Sequence, residues 1–257
     1  MLSELLLLSG NDIPFPEAMV TIHPPTLKEI AYIGEDMFFV GCGFLDFSKN
    51  LLSETDKVRL SNYSDFDIFM SVMNNSSSDV RRSVEAAHLV LTLIFPLYKV
   101  SVRDNLIVLA RDEQEFFINN KNFDAFKSIL VSMFSLKLGE KNDDQYNPSG
   151  DMAKRIADKF KKRHEILNKL SREAQGDKKI SILSRYASIL AIGLQKSLND
   201  LMQYTVYQLY DEFQRFQLKV QWDTYIQARM AGASDLDEVD NWMIDLQDQG
   251  KKNNLKK

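Results

Sequence analysis

The chain has one cysteine, three histidines and no apolar run long enough to cross a bilayer. A lone Cys42 excludes an internal disulfide and suits a reducing compartment. His23, His88 and His164 are scattered without the paired spacing that holds a transition metal, so no metal site is expected. His88 falls in a mostly apolar stretch and reads as a core side chain. The longest apolar segment, "AAHLVLTLIFPLY", is bounded or broken by Ser83, Glu85, His88 and Pro96, well short of the ~18 residues of a membrane span. The opening "MLSELLLLSG" lacks basic residues before its apolar run, and Glu4 interrupts it. It therefore reads as a short helix or strand over Leu5 to Leu8, not as a signal peptide. Glycine-rich phosphate loops are missing; "GCG" alone carries no such meaning. No Ser, His and Asp set or acid–base pair stands out either. The expectation is a non-enzymatic protein with no catalytic residue, cofactor or metal. A formal net charge of −4 gives no global pull toward nucleic acid or an anionic membrane.

What is present is an ordinary globular composition, 44% apolar and 26% charged over 257 residues, enough for one large or two modest cores. Met19 to His23 alternates like a strand. Thr26 and Glu29 form a capping box that starts a helix, and "GCGF" reads as a break. Ser64 opens another helix, and Asp79 to Phe95 carries an apolar helical face that ends at Pro96. From Tyr98 the period changes to two: "YKVSV", the turn "RDN", "LIVLA" and "EFFIN" predict a three-stranded antiparallel sheet. Helical spacing returns at Phe123, Phe126, Ile129, Leu130 and Phe134. The polar "GEKNDDQYNPSGD" is the best linker. The predicted class is α+β: an N-terminal mixed domain (1–138) with a small antiparallel sheet, a linker (139–151), an all-helical C-terminal domain (152–249) and a charged tail (250–257).

Four helices are expected after the linker. The first is rich in lysine and arginine, but Asp158, Glu165 and Glu173 interleave with its basic residues, so a solvated face is favoured over a nucleic-acid site. The second covers roughly Ile180 to Leu201, burying Leu183, Tyr186, Ile189, Leu190 and Leu194. The third runs from Thr205 to Gly232, with a capping box from Thr205 and Gln208 and a left-handed cap at Gly232. The fourth begins at Ser234, with Leu236, Val239, Met243 and Leu246 on one face.

The third helix has two apolar stripes. Val206, Leu209, Phe213, Phe216 and Val220 share one arc, and Leu218, Trp222, Tyr225 and Ile226 fall on roughly the opposite side. One stripe can build the fold. The second is either covered by the fourth helix or meets another chain, since a large apolar side chain left in water forfeits roughly 1.5–3 kcal/mol. The candidate partner-binding residues are Leu218, Trp222, Tyr225, Ile226 and Arg229, with Trp242 and Met243 from the fourth helix.

The pattern "YTVYQLYDEFQRF", a polar run and then "AGASDLDEVDNWM" resembles proteins encoded among the tail genes of phages and prophages of Gram-positive bacteria. "IHPPTLKEIAYIGEDMF", "NFDAFKSIL" and "NPSGDMAKRIADKFKKRHEIL" extend the resemblance over most of the chain. Many such proteins are regarded as tail assembly chaperones. The resemblance implies a protein of the host cytoplasm that holds the tape-measure protein soluble until tail-tube subunits polymerise around it. The implied partners are the tape-measure protein, the tail tube protein and a second copy of the chain, with no membrane or nucleic acid. A virion structural component of the tail, neck or baseplate is the alternative, and a DNA-handling or packaging protein using the basic helix the next.

Overall fold

The computed structural model describes residues 2–46, 58–74, 78–103, 105–134, 181–232, 239 and 241–243. The linker, the basic first helix of the C-terminal part and the charged tail lie outside the described residues. The chain divides into two compact units: Met1–Ser135 together with Leu183–Lys257, and Leu136–Ile182. The first unit thus holds the helices from Leu183 onward together with the N-terminal elements.

The elements run α1 (Glu4–Ser9), β1 (Ile13–Phe15), β2 (Val20–Ile22), α2 (Leu27–Ile33), α3 (Glu35–Leu45), α4 (Asp65–Met73) and α5 (Ser78–Ile94). Next come β3 (Lys99–Arg103), β4 (Leu106–Arg111), β5 (Gln114–Ile118), α6 (Phe123–Phe134), α7 (Ile182–Leu194), α8 (Leu198–Leu201) and α9 (Val206–Met230). The class is α+β. β1 pairs antiparallel with β2, and β3, β4 and β5 form a second antiparallel sheet in sequence order. β4 is its central strand and carries the buried run Ile107, Val108 and Leu109.

The leading segment is a short helix, and of its leucines only Leu7 is fully buried while Leu5 stays 76% exposed. The expected break at "GCGF" is not there. Those residues lie inside α3, because α5 packs so close that a Cβ on Gly41 would sit 2.4 Å from the Ala86 carbonyl oxygen. Glycine here opens a path for a neighbouring backbone and costs only the roughly 1 kcal/mol of a helical glycine.

Phenylalanine rings form the core of the N-terminal elements. Phe38 meets Phe134 edge-on at 5.0 Å, Phe66 and Phe69 both touch Phe123, and Phe126 lies between Phe95 and Phe15. One polar side chain is buried among them. Asn122 accepts from the Asn119 amide at 2.7 Å and donates to the carbonyls of Phe117 (3.0 Å) and Glu17 (3.2 Å). It fastens β5 and the start of α6 to the turn between β1 and β2. Every buried polar group so satisfied avoids a penalty of roughly 1–3 kcal/mol.

The C-terminal helices are tied in where two capped helix starts meet. Thr26 and Thr205 each anchor a complete capping box, and the two residues form an antiparallel bridge. The first two helical amides of α2, Leu27 and Lys28, donate to the carbonyls of Tyr204 (2.8 Å) and Met202 (2.9 Å), just past α8. Donors that a helix start leaves orphaned are thus satisfied by acceptors at a helix end. Gln208 completes the joint: its side chain accepts from the Thr205 amide and donates to the Leu8 carbonyl at 2.7 Å.

Two further expectations change. The predicted Ile180–Leu201 helix is α7 and α8, separated by a left-handed Gln195 (φ 55°). Of its expected buried set, Leu183 and Leu190 are buried with Ala187, while Tyr186, Ile189 and Leu194 are half-buried. Most of the helix expected from Ser234 lies outside the described residues, but Val239 and Asn241–Met243 are not helical. The Met243 amide donates to the Asn241 side chain at 3.0 Å, the local competition by which asparagine favours turns over helices.

Candidate partner-binding surface

α9 is one helix in two environments. Its proximal part is core: Val206, Leu209, Tyr210 and Phe213 are buried. Tyr186 of α7 stacks on Phe213 at 3.9 Å and meets Tyr210 edge-on at 5.5 Å. Burial pushes the Tyr210 phenol up to about 12, helped by the neighbouring Tyr186 and Glu35. Gly193 gives the Phe216 ring its space, since a Cβ there would lie 2.3 Å from that ring. Lys196, just after the turn at Gln195, donates to the Tyr204 hydroxyl and to Glu212 and lies 5.1 Å from the Tyr204 ring centroid. Burial alone would lower this lysine, but its bonds to Glu212 and Tyr204 raise it.

Beyond Phe213 no residue of α9 is fully buried. The stretch from Gln214 to Met230 extends about 26 Å at the rise of an α-helix. The first apolar stripe therefore serves the core only as far as its neighbours reach. Phe216 is half-buried against Gly193, and Val220, expected to close that stripe, is 46% exposed. α7 ends at Leu194 and the chain turns back at Gln195, so nothing on α7 extends far enough to meet Val220.

On the other side sits the candidate cluster. Leu218, Trp222 and Tyr225 are half-buried, Ile226 is 37% exposed, and Arg229 is exposed. The rings of Trp222 and Tyr225 lie 5.9 Å apart, one helical turn from each other, and the Arg229 guanidinium lies 5.8 Å from the Tyr225 ring. Trp222, Tyr225 and Arg229 thus form a connected cation–aromatic run along the helix. Their polar neighbours pair along the helix and leave the run undisturbed: Lys219 with Asp223 at 2.7 Å, and Arg215 with Asp211 at 3.1 Å. Trp242 is half-buried and Met243 is exposed. Among the described residues no ring contact or hydrogen bond joins these two to the Trp222 cluster, so the structure brings together five of the seven predicted residues.

Sequence reasoning missed the bracket that sets this helix in place: Lys196 with Glu212 and Tyr204, and Gln208 on the Leu8 carbonyl. The capping box pointed to Gln208 as a local cap, but nothing in the spacing indicated a partner 200 positions earlier. Gly193 left a fainter signal as a glycine amid otherwise good helix formers. Among the described residues, no helix is long and apolar enough to cross a membrane, and no cluster of His, Cys, Asp and Glu could hold a metal ion.

Residues 177–247, somewhat over a quarter of the chain, match the family model described as the YomV second domain, a phage-associated name. The match includes α7, α8, α9, Trp242 and Met243, and it points to a phage protein. No curated protein and no solved structure matches the chain.

Proposed function

We propose that this protein is a non-enzymatic tail assembly chaperone of a phage, acting in the host cytoplasm and binding the tape-measure protein through the distal half of α9. The observation that carries this reading is the division of α9 at Phe213. A helix rooted by a capping box, a stacked tyrosine and a lysine bracket runs on with Leu218, Trp222, Tyr225 and Ile226 half-buried or exposed. Aromatic side chains with an arginine beside them are the composition of an interface centre. A client rich in apolar helix offers complementary surface, and a groove or face on a rigid helix suits such recognition. The phage-associated family match over this segment supports the setting.

The test is co-expression with the cognate tape-measure protein. Wild-type chain should keep it soluble, and Trp222→Ser with Tyr225→Ser should abolish the rescue while the variant keeps its wild-type circular dichroism. Purified virions should contain the tape-measure protein but not this chain. Stoichiometric presence in the particle would instead make it a structural tail, neck or baseplate component.

A further inference from the structure

The leucines that open the chain are apolar beyond what their packing uses. Leu7 is buried, but Leu2, Leu6 and Leu8 are half-buried and Leu5 is 76% exposed. Polar contacts fix where their helix lies. At the C-terminal end of α1 the Leu8 carbonyl accepts from the Gln208 side chain at 2.7 Å. A Cβ on Gly10, just past that end, would sit 3.0 Å from the same amide nitrogen. At the N-terminal end Glu4 faces Arg215 at 3.9 Å. Going back from Leu8 to Glu4 therefore means going forward along α9 from Gln208 to Arg215, and the two helices run antiparallel. Arg215, Leu218 and Trp222 follow at intervals of three and four and share one helical face. α1 thus fills the proximal end of that face, and its first residues lead toward the part that stays open.

We infer that α1 and the distal half of α9 form one composite docking surface, and that its occupant is an apolar, charge-poor helical segment of the client. The inference rests on reading the distal face of α9 as a docking site. Two helices side by side leave a groove between their ridges, which suits a third helix. Leu5 and Leu2 supply one side of it, and Leu218, Trp222 and Tyr225 the other. The charges along the face say what the occupant lacks. Arg215 is engaged by Asp211 at 3.1 Å and Glu4 at 3.9 Å, and Lys219 by Asp223 at 2.7 Å. With Arg229, three cations stand against three carboxylates, and the face balances to no net charge. A charged segment would have to break these pairs without gaining a net attraction. An apolar one buries leucine and aromatic surface and leaves them as they are.

Co-purification of the cognate tape-measure protein on the tagged full chain tests this. Leu5→Ser should reduce the amount recovered at least about tenfold, with the thermal midpoint unchanged because Leu5 is exposed. Leu5→Met, an apolar replacement of similar volume, should recover as much as the wild type. The complex should also survive a wash in about 1 M NaCl, where the screening length is only about 3 Å. Wild-type recovery by Leu5→Ser, while Trp222→Ser with Tyr225→Ser recovers nothing, would overturn the composite surface and leave docking on α9 standing. Recovery unaffected by either change would sink the α9 reading itself. Equal losses from Leu5→Ser and Leu5→Met would mean that apolar contact at this position is not what binds, and would also overturn the inference. A complex that washes apart in salt would overturn the charge-poor occupant.

Discussion

Replacing Leu209 and Trp222 one at a time should separate the two halves of α9 by their cost. Both are large apolar residues on the same helix, yet Leu209 is fully buried and Trp222 only half-buried. Leu209→Ala removes buried methyl groups from a packed site and leaves a cavity, which costs about 2–5 kcal/mol. At roughly 2–4 °C per kcal/mol for a chain of this size, a mid-range loss of about 3 kcal/mol lowers the midpoint by roughly 6–12 °C. Trp222→Ser gives up the contact with the Tyr225 ring from a half-buried position beyond the last fully buried residue of the helix. Its cost should stay within about 1 kcal/mol, a fall of no more than roughly 4 °C. Thermal unfolding followed by circular dichroism reads both changes. If Trp222→Ser lowers the midpoint as far as Leu209→Ala, the distal half of α9 is core, and the partner-binding account fails with it.

Three further outcomes follow from the geometry. Asn122→Ala should destabilise by about 2–3 kcal/mol, because its three backbone partners lose their bonds in a buried place; urea unfolding reads the loss. The β4–β5 hairpin turns through Asp112 and Glu113, both with positive φ (49° and 67°), a mirror-image turn that asparagine and glycine adopt more readily. Asp112→Asn with Glu113→Gly should therefore stabilise by up to about 1 kcal/mol in the same assay. Tyr210 and Lys127 both have folded pKa values raised above their ordinary ones. Tyr210 reaches about 12 through burial. For Lys127 burial pulls downward, but bonds and ion pairs with Asp65 and Asp124 prevail. A raised folded value gives stability that is complete below the unfolded pKa, here 10.0 for Tyr210, and lost as pH climbs through the folded value. The Tyr210 contribution should hold level to about pH 10 and decline toward pH 12, a decline that Tyr210→Phe should remove; the Lys127 contribution falls only as pH climbs past its ordinary 10.5.

Local signals carried much of the fold. Thr26–Glu29, Ser64 and Thr205–Gln208 announced three helix starts, and each side chain caps as the spacing indicated. The change of period after Tyr98 gave the three-stranded sheet strand by strand. What spacing could not convey was distance along a neighbour. The angular position of Val220 put it on the core stripe, but angle says nothing about where α7 stops, and Val220 lies past that point. Gly41 misled for a related reason: a glycine that ends a helix and one that admits another helix look alike until Ala86 is seen beside it. The polar contacts that set α9 in place join residues 8 and 208, or 26 and 205, and such separations leave no periodic trace. For the candidate site, helical geometry placed Leu218, Trp222, Tyr225, Ile226 and Arg229 on one face. It did not foresee that Asn241 would draw the Trp242–Met243 stretch into a turn.

A photo-cross-linking amino acid at position 222, activated in phage-producing cells, reports what the distal face of α9 touches. Docking of the client there gives an adduct between this chain and the tape-measure protein, lost when the probe moves to buried position 209. An adduct confined to the chain's own residues at position 222 would contradict it.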